Sequence, residues 1–142
     1  AEVICHGDAA PYNCVVRDGR VVGLIDCDAA HPGPRIWDVA YAVYRFAPLQ
    51  APANPDSFGS PREQGRRAAR FCRTYGMPAD EALLDAVADR LRALIDFMRD
   101  QAGQGSEAFR SHIEAGHLDL YAADIRYLDA NRETLLTAFE EG

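Results

Sequence analysis

An α+β fold is predicted from the way the chain divides. Short β-branched, apolar runs fall in its first third, apolar residues at helical spacing fill most of the remainder, and no internal repeat is found. Strands grouped at one end and helices at the other are not the pattern of repeated strand–helix–strand crossovers.

Each element has a local cause. Val3-Ile4-Cys5 is a short extended piece leading into a polar loop, His6 to Tyr12, where Gly7 and Pro11 oppose regular structure. Cys14-Val15-Val16 and Val21 to Ile25 form a hairpin, because Asp18-Gly19 between them supplies the positive φ of a tight turn. Asp26-Cys27-Asp28 and the stretch His31-Pro32-Gly33-Pro34 read as loop. Val39, Val43 and Phe46 predict a helix from about Asp38 to Phe46, ended by Pro48. Residues 50–60, with Pro52, Pro55 and Gly59, read as a surface loop or flap able to move. Ser60-Pro61-Arg62-Glu63 combines an N-cap serine, a first-turn proline and a capping-box glutamate, which starts a helix running to about Tyr75 before Gly76 stops it. Leu84, Val87, Leu91, Leu94 and Met98 mark one stripe of a helix over 80–101, ended by Gly103 to Gly105. From Ser106 the helical spacing continues almost to the end, as one long helix or as two broken around Asn131.

The 142 residues suit a single domain that buries roughly two-thirds of its unfolded surface. With 48% hydrophobic and 26% charged residues, a wholly disordered chain is excluded. No apolar run approaches the ~18 residues of a membrane span, and Ala1-Glu2-Val3-Ile4 lacks the basic head of a signal peptide, so a cytoplasmic setting is expected. Cys5, Cys14, Cys27 and Cys72 contain no C-x-x-C pair and read as reduced small hydrophobes; a zinc site from Cys5, His6, Cys14 and Cys27 would need different spacings. The net charge of −7 repels nucleic acid and anionic membranes and weakly favours a cationic small molecule. All 15 basic residues are arginine, so this chain supplies no phosphate-loop, Schiff-base or nucleotide-anchoring lysine.

The chemistry concentrates near the hairpin. A hairpin that leaves from Asn13 and returns to Asp26 brings its ends together, so Asp8, Asn13 and Asp26 can surround one point. One carboxylate and one amide oxygen suit Mg²⁺, a hard cation that keeps positions for water and phosphate. The other carboxylate, Asp8, would face a hydroxyl nucleophile and accept its proton.

His6-Gly7-Asp8, then Asn13, a hairpin, Ile25-Asp26 and the later Trp37-Asp38 segment resemble the catalytic and metal-binding region of the aminoglycoside phosphotransferase family, small-molecule kinases related to protein kinases. The resemblance covers about residues 1–47, with the helical part at 60–142. It implies a protein-kinase-like C-terminal lobe, a small β-hairpin region with the catalytic loop packed on a mainly helical bundle. It implies Asp8 as catalytic base, Asn13 and Asp26 as Mg²⁺ ligands, and His6 and Asp38 as supports of the loop. ATP or GTP would donate a phosphoryl group to a hydroxyl of a small molecule. The expected N-terminal nucleotide lobe, with its glycine-rich loop and lysine, has no counterpart in these residues. That gap predicts impaired catalysis and self-association through the surface the lobe would cover. It also keeps two rival readings open, a non-catalytic binding module and slow nucleotide hydrolysis.

Several residues carry two readings. Asp28, two after Asp26, is equally a metal or substrate contact and a solvated loop carboxylate. Asp38 is equally a helix N-cap and a buttress of the loop. His31, His112 and His117 read as surface or packing histidines, and Asp85, Asp89, Asp96 and Asp100 with Arg92 and Arg99 as a solvated helix face.

Overall fold

The computed structural model describes residues 1–114 and 116–142. Two small antiparallel sheets are followed by six helices among the described residues. Strand β1 (Val3–Cys5) pairs with β4 (His31–Gly33), with Ile4 opposite Pro32, and β2 (Cys14–Arg17) pairs with β3 (Arg20–Leu24), with Cys14 opposite Leu24. Asp18 and Gly19 both take positive φ, as the hairpin turn requires. A single 3₁₀ turn, Pro11–Asn13, connects the polar loop to β2.

The helices are α1 (Arg35–Phe46), α2 (Pro61–Tyr75), α3 (Glu81–Gly103), α4 (Glu107–Glu114), α5 (His117–Ala130) and α6 (Arg132–Glu141). Helix α2 begins on the Ser60 capping box and ends on Gly76 in the left-handed region, as its sequence predicts. Asp80 caps α3 by accepting the Leu83 N–H. The core lies where α1, α2, α3 and α6 meet, around Val43, Tyr44, Ala68, Leu91 and Leu135. Helices α2 and α6 come close because Gly65 has no side chain: a Cβ there would sit 2.6 Å from the Ala138 Cβ.

Four local expectations are revised. The stretch His31-Pro32-Gly33 is a strand rather than a loop, stabilised by pairing with residues far back in sequence, a contact that turn-forming residues conceal. Helix α1 starts at Arg35, three residues before Asp38, and Pro34 occupies the N-cap without a side-chain cap. Asp38 is therefore not an N-cap. The C-terminal helical region is broken at Asn131 as anticipated, and also around Gly116, whose positive φ starts α5 afresh. The 50–60 segment is anchored rather than loose. Buried Asp124 of α5 accepts the Ala51 N–H at 2.8 Å, the Asn54 side-chain amide at 3.0 Å and the Tyr44 hydroxyl at 2.6 Å.

Candidate active site

The loop between β1 and β2 is fixed by contacts that explain its motif. Gly7 has φ +86°, and a Cβ there would lie 2.5 Å from the Ala29 carbonyl oxygen, so the position admits only glycine on both counts. The Asp38 carboxylate, reaching back from the first turn of α1, accepts the His6 N–H at 2.9 Å and the Gly7 N–H at 3.0 Å. Two loop amides that would otherwise lack partners are thereby satisfied by charge-assisted bonds. Arg90 of α3 completes the clamp by donating to the Gly7 carbonyl at 2.7 Å.

His6 ties the loop to the far end of the hairpin. Its Nε2 must donate to the Ile25 carbonyl at 2.9 Å, because a carbonyl only accepts; its Nδ1 then accepts the Asp8 N–H at 3.1 Å. Ile25 in turn donates its N–H to the Asn13 carbonyl at 2.8 Å. One imidazole thus bridges the backbone of Asp8 and the residue preceding Asp26.

Asp8 is oriented from two sides. The Asn13 amide donates to Asp8 Oδ2 at 3.0 Å and to the Asp8 carbonyl at 2.9 Å, while the Tyr12 hydroxyl donates to Asp8 Oδ1. Because both Asn13 partners are acceptors, its nitrogen faces Asp8 and its oxygen is left for another group. Asp26 is exposed and takes the left-handed conformation at φ +61°, which aspartate tolerates better than most residues. Among the described residues no cluster of three or more histidine, cysteine or acidic side chains is placed to hold a metal. One amide oxygen, one exposed carboxylate and phosphate oxygens form a donor set that fits Mg²⁺, which needs few protein ligands.

Asp8 opens onto a cavity of about 600 Å³ that also receives Tyr12, Trp37, Tyr41, Arg45 and Arg90, with Asp28 at its edge. Burial pushes the Tyr12 phenol well above its ordinary range and the Tyr41 phenol upward, so Tyr12 keeps the proton it donates to Asp8. Arg45 is stacked against the rings of Tyr12, Tyr41, Tyr44 and Tyr121 at 5.1–5.8 Å. It also donates to the Tyr41 and Tyr121 hydroxyls at 3.0 and 3.2 Å.

The structure therefore brings together Asp8, Asn13, His6 and Asp38 through direct hydrogen bonds, and links Asp26 to them through Ile25. Asp28 shares the cavity with Asp8. Tyr12, Tyr41, Arg45 and Arg90 were not singled out from sequence. Arg90 carried a signal, since it falls at helical spacing between Val87 and Leu94 of the apolar stripe, where a solvated arginine is out of place.

No curated protein and no solved structure matches the chain significantly. The model of the phosphotransferase enzyme family matches residues 1–84, from β1 into the start of α3, which takes in the whole loop, both sheets and α1. With the motif, its buttress and more than half of its length accounted for in this way, the chain is a member of the phosphotransferase enzyme family.

Proposed function

We propose that the chain carries the catalytic half of a small-molecule kinase, resembling a protein-kinase C-terminal lobe, that moves the γ-phosphoryl group of ATP or GTP to a hydroxyl. The observation that carries this reading is Asp8 at the edge of the cavity, its two carboxylate oxygens oriented by Tyr12 and Asn13. Asp8 accepts the hydroxyl proton as the acceptor oxygen bonds to phosphorus. The bond from the γ-phosphorus to the bridging oxygen breaks, and the nucleoside diphosphate departs with that electron pair. The Asn13 amide oxygen and Asp26 would hold Mg²⁺, which when bound would offset phosphate charge. His6 and Asp38 keep the loop in register, so that Asp8 and the metal ligands are preorganised.

The four cysteines are free, in keeping with a reducing cytoplasm where ATP and GTP are abundant. No described helix is long and apolar enough to cross a membrane. Copies of the chain are expected to associate through the surface that a nucleotide lobe would cover; a monomer by light scattering at high concentration would remove that expectation.

Calorimetric titration with Mg-ATP and Mg-GTP tests the reading, beside Asp26→Ala and Asp8→Asn. Binding should require both Mg²⁺ and Asp26 and survive Asp8→Asn, whereas phosphoryl transfer should be lost in both variants. Transfer retained by Asp8→Asn would sink the role of Asp8. Nucleotide binding without transfer to any hydroxyl would favour the non-catalytic module, and release of phosphate to water would favour hydrolysis.

A further inference from the structure

The walls of the Asp8 cavity carry a specificity that the overall charge hides. Although the chain bears a net charge of −7, the acidic groups lining this cavity among the described residues are Asp8 and Asp28, and two guanidinium groups, Arg45 and Arg90, line it with them. The remaining titratable groups facing it among the described residues, apart from the tyrosines, are His31 and His112. Formal charge among these described lining residues is thus balanced, and one of the two carboxylates is committed to the reacting hydroxyl. A polycation finds no field here to attract it.

The rest of the lining is flat and apolar. Trp37 and Tyr41 lie under the Arg90 guanidinium, at 5.5 and 4.7 Å. Elsewhere in the lining, Phe97 of α3 packs edge-to-face on Phe109 of α4 at 5.4 Å, yet it remains 51% exposed. A phenylalanine left half in water at the wall of a concave site gains free energy when an apolar body covers it. Arg90, Phe97, Phe109 and Tyr121 all lie beyond residue 84, where the family match ends.

We propose that the acceptor is an alcohol with a flat, largely apolar body and no positive charge, uncharged or singly anionic. It lies in the cavity that Trp37, Phe97 and Phe109 line, with its hydroxyl at Asp8. This deepens the phosphotransferase reading and rests on it for the role of Asp8. A volume of about 600 Å³ suits a molecule of two or three fused or linked rings.

The test is calorimetric titration of the 142-residue chain, without nucleotide or Mg²⁺, using three probes. They are 2-naphthaleneethanol, 6-(hydroxymethyl)-2-naphthoate and the polycationic alcohol kanamycin. Both naphthyl alcohols should bind saturably and at least about tenfold more tightly than kanamycin. Phe97→Asp, at a half-exposed position that tolerates a polar side chain, should weaken the naphthyl alcohols by about tenfold and strengthen kanamycin. Kanamycin binding more tightly than both naphthyl probes would overturn the proposal. So would naphthyl binding indifferent to Phe97→Asp, or its absence in a chain with an intact cooperative thermal transition. Because these titrations contain no nucleotide, their failure is separate from failure of the Asp26-dependent nucleotide binding that tests the phosphotransferase reading.

Discussion

The Asp38 carboxylate accepts the backbone N–H of His6, 32 residues earlier, at 2.9 Å, and through its other oxygen that of Gly7 at 3.0 Å. A single side chain on α1 thereby sets the path of the loop that presents Asp8. Asp38→Ala leaves two part-buried donors unpaired and should cost about 2–4 kcal/mol in denaturant unfolding. Asp38→Asn, which keeps one accepting oxygen, should lose about half of that. Amide exchange at His6 and Gly7 should accelerate by about tenfold in the alanine variant while the β2–β3 amides are unchanged.

Tyr12 acts on Asp8 without altering the backbone. Tyr12→Phe keeps the ring against Arg45 and removes only the hydroxyl that donates to Asp8 and meets Tyr41 at 3.1 Å. On the proposed role of Asp8 as base, whatever phosphoryl transfer the chain performs should show, in steady-state kinetics, kcat reduced by about tenfold with KM for the nucleotide nearly unchanged. An unaltered kcat would show that Asn13 alone orients the carboxylate.

Asp124 joins α5 to α1 and to the 50–60 segment through bonds to Tyr44, Ala51 and Asn54. Asp124→Ala strands three donors in the interior and should lower stability by about 3–5 kcal/mol. Limited proteolysis should then cut first within residues 51–59.

The α2–α6 contact depends on a missing side chain. Gly65→Ala would drive its Cβ against Ala138 and the Leu135 carbonyl, and overpacking of this kind should cost about 1–3 kcal/mol despite the better helix propensity of alanine. Thermal unfolding checks it, and a stabilised variant would mean that α6 moves away freely.

Burial pushes the Cys72 thiol up from its ordinary 9.0 to about 11. A raised folded pKa means that the protonated thiol favours the fold. Its contribution is therefore complete below pH 9 and lost as pH rises from there through about 11. At pH 8 an aromatic disulfide reagent should label exposed Cys27 rapidly and Cys72 only at the rate of unfolding, and Cys72→Ala should flatten the fall in stability between pH 9 and 11.

Much of this molecule is written in local chemistry. The capping box at Ser60, the Asp18-Gly19 turn and the stripe from Leu84 to Met98 each act within a few residues, and each appears where its sequence places it. Asp8 and Asn13 were legible for the same reason: five residues apart, they are brought into contact by the short loop between them. The β1–β4 pairing, the grip of Asp38 on the loop and the anchoring of residues 51–54 by Asp124 span about 26 to 73 residues, and no local propensity encodes them.

The sequence by itself determined the β2–β3 hairpin, the start of α2 and the stripe of α3, the loop that carries Asp8 and the spacing that sets Asn13 beside it, because each follows from dihedral preference, side-chain periodicity or short loop closure. Only the tertiary structure decided what faces Asp8. Arg45, Arg90, Phe97 and Phe109 belong to three different helices, and their meeting around one cavity is a matter of helix packing. The energetics of that packing are summed over the whole core rather than stated at any one position.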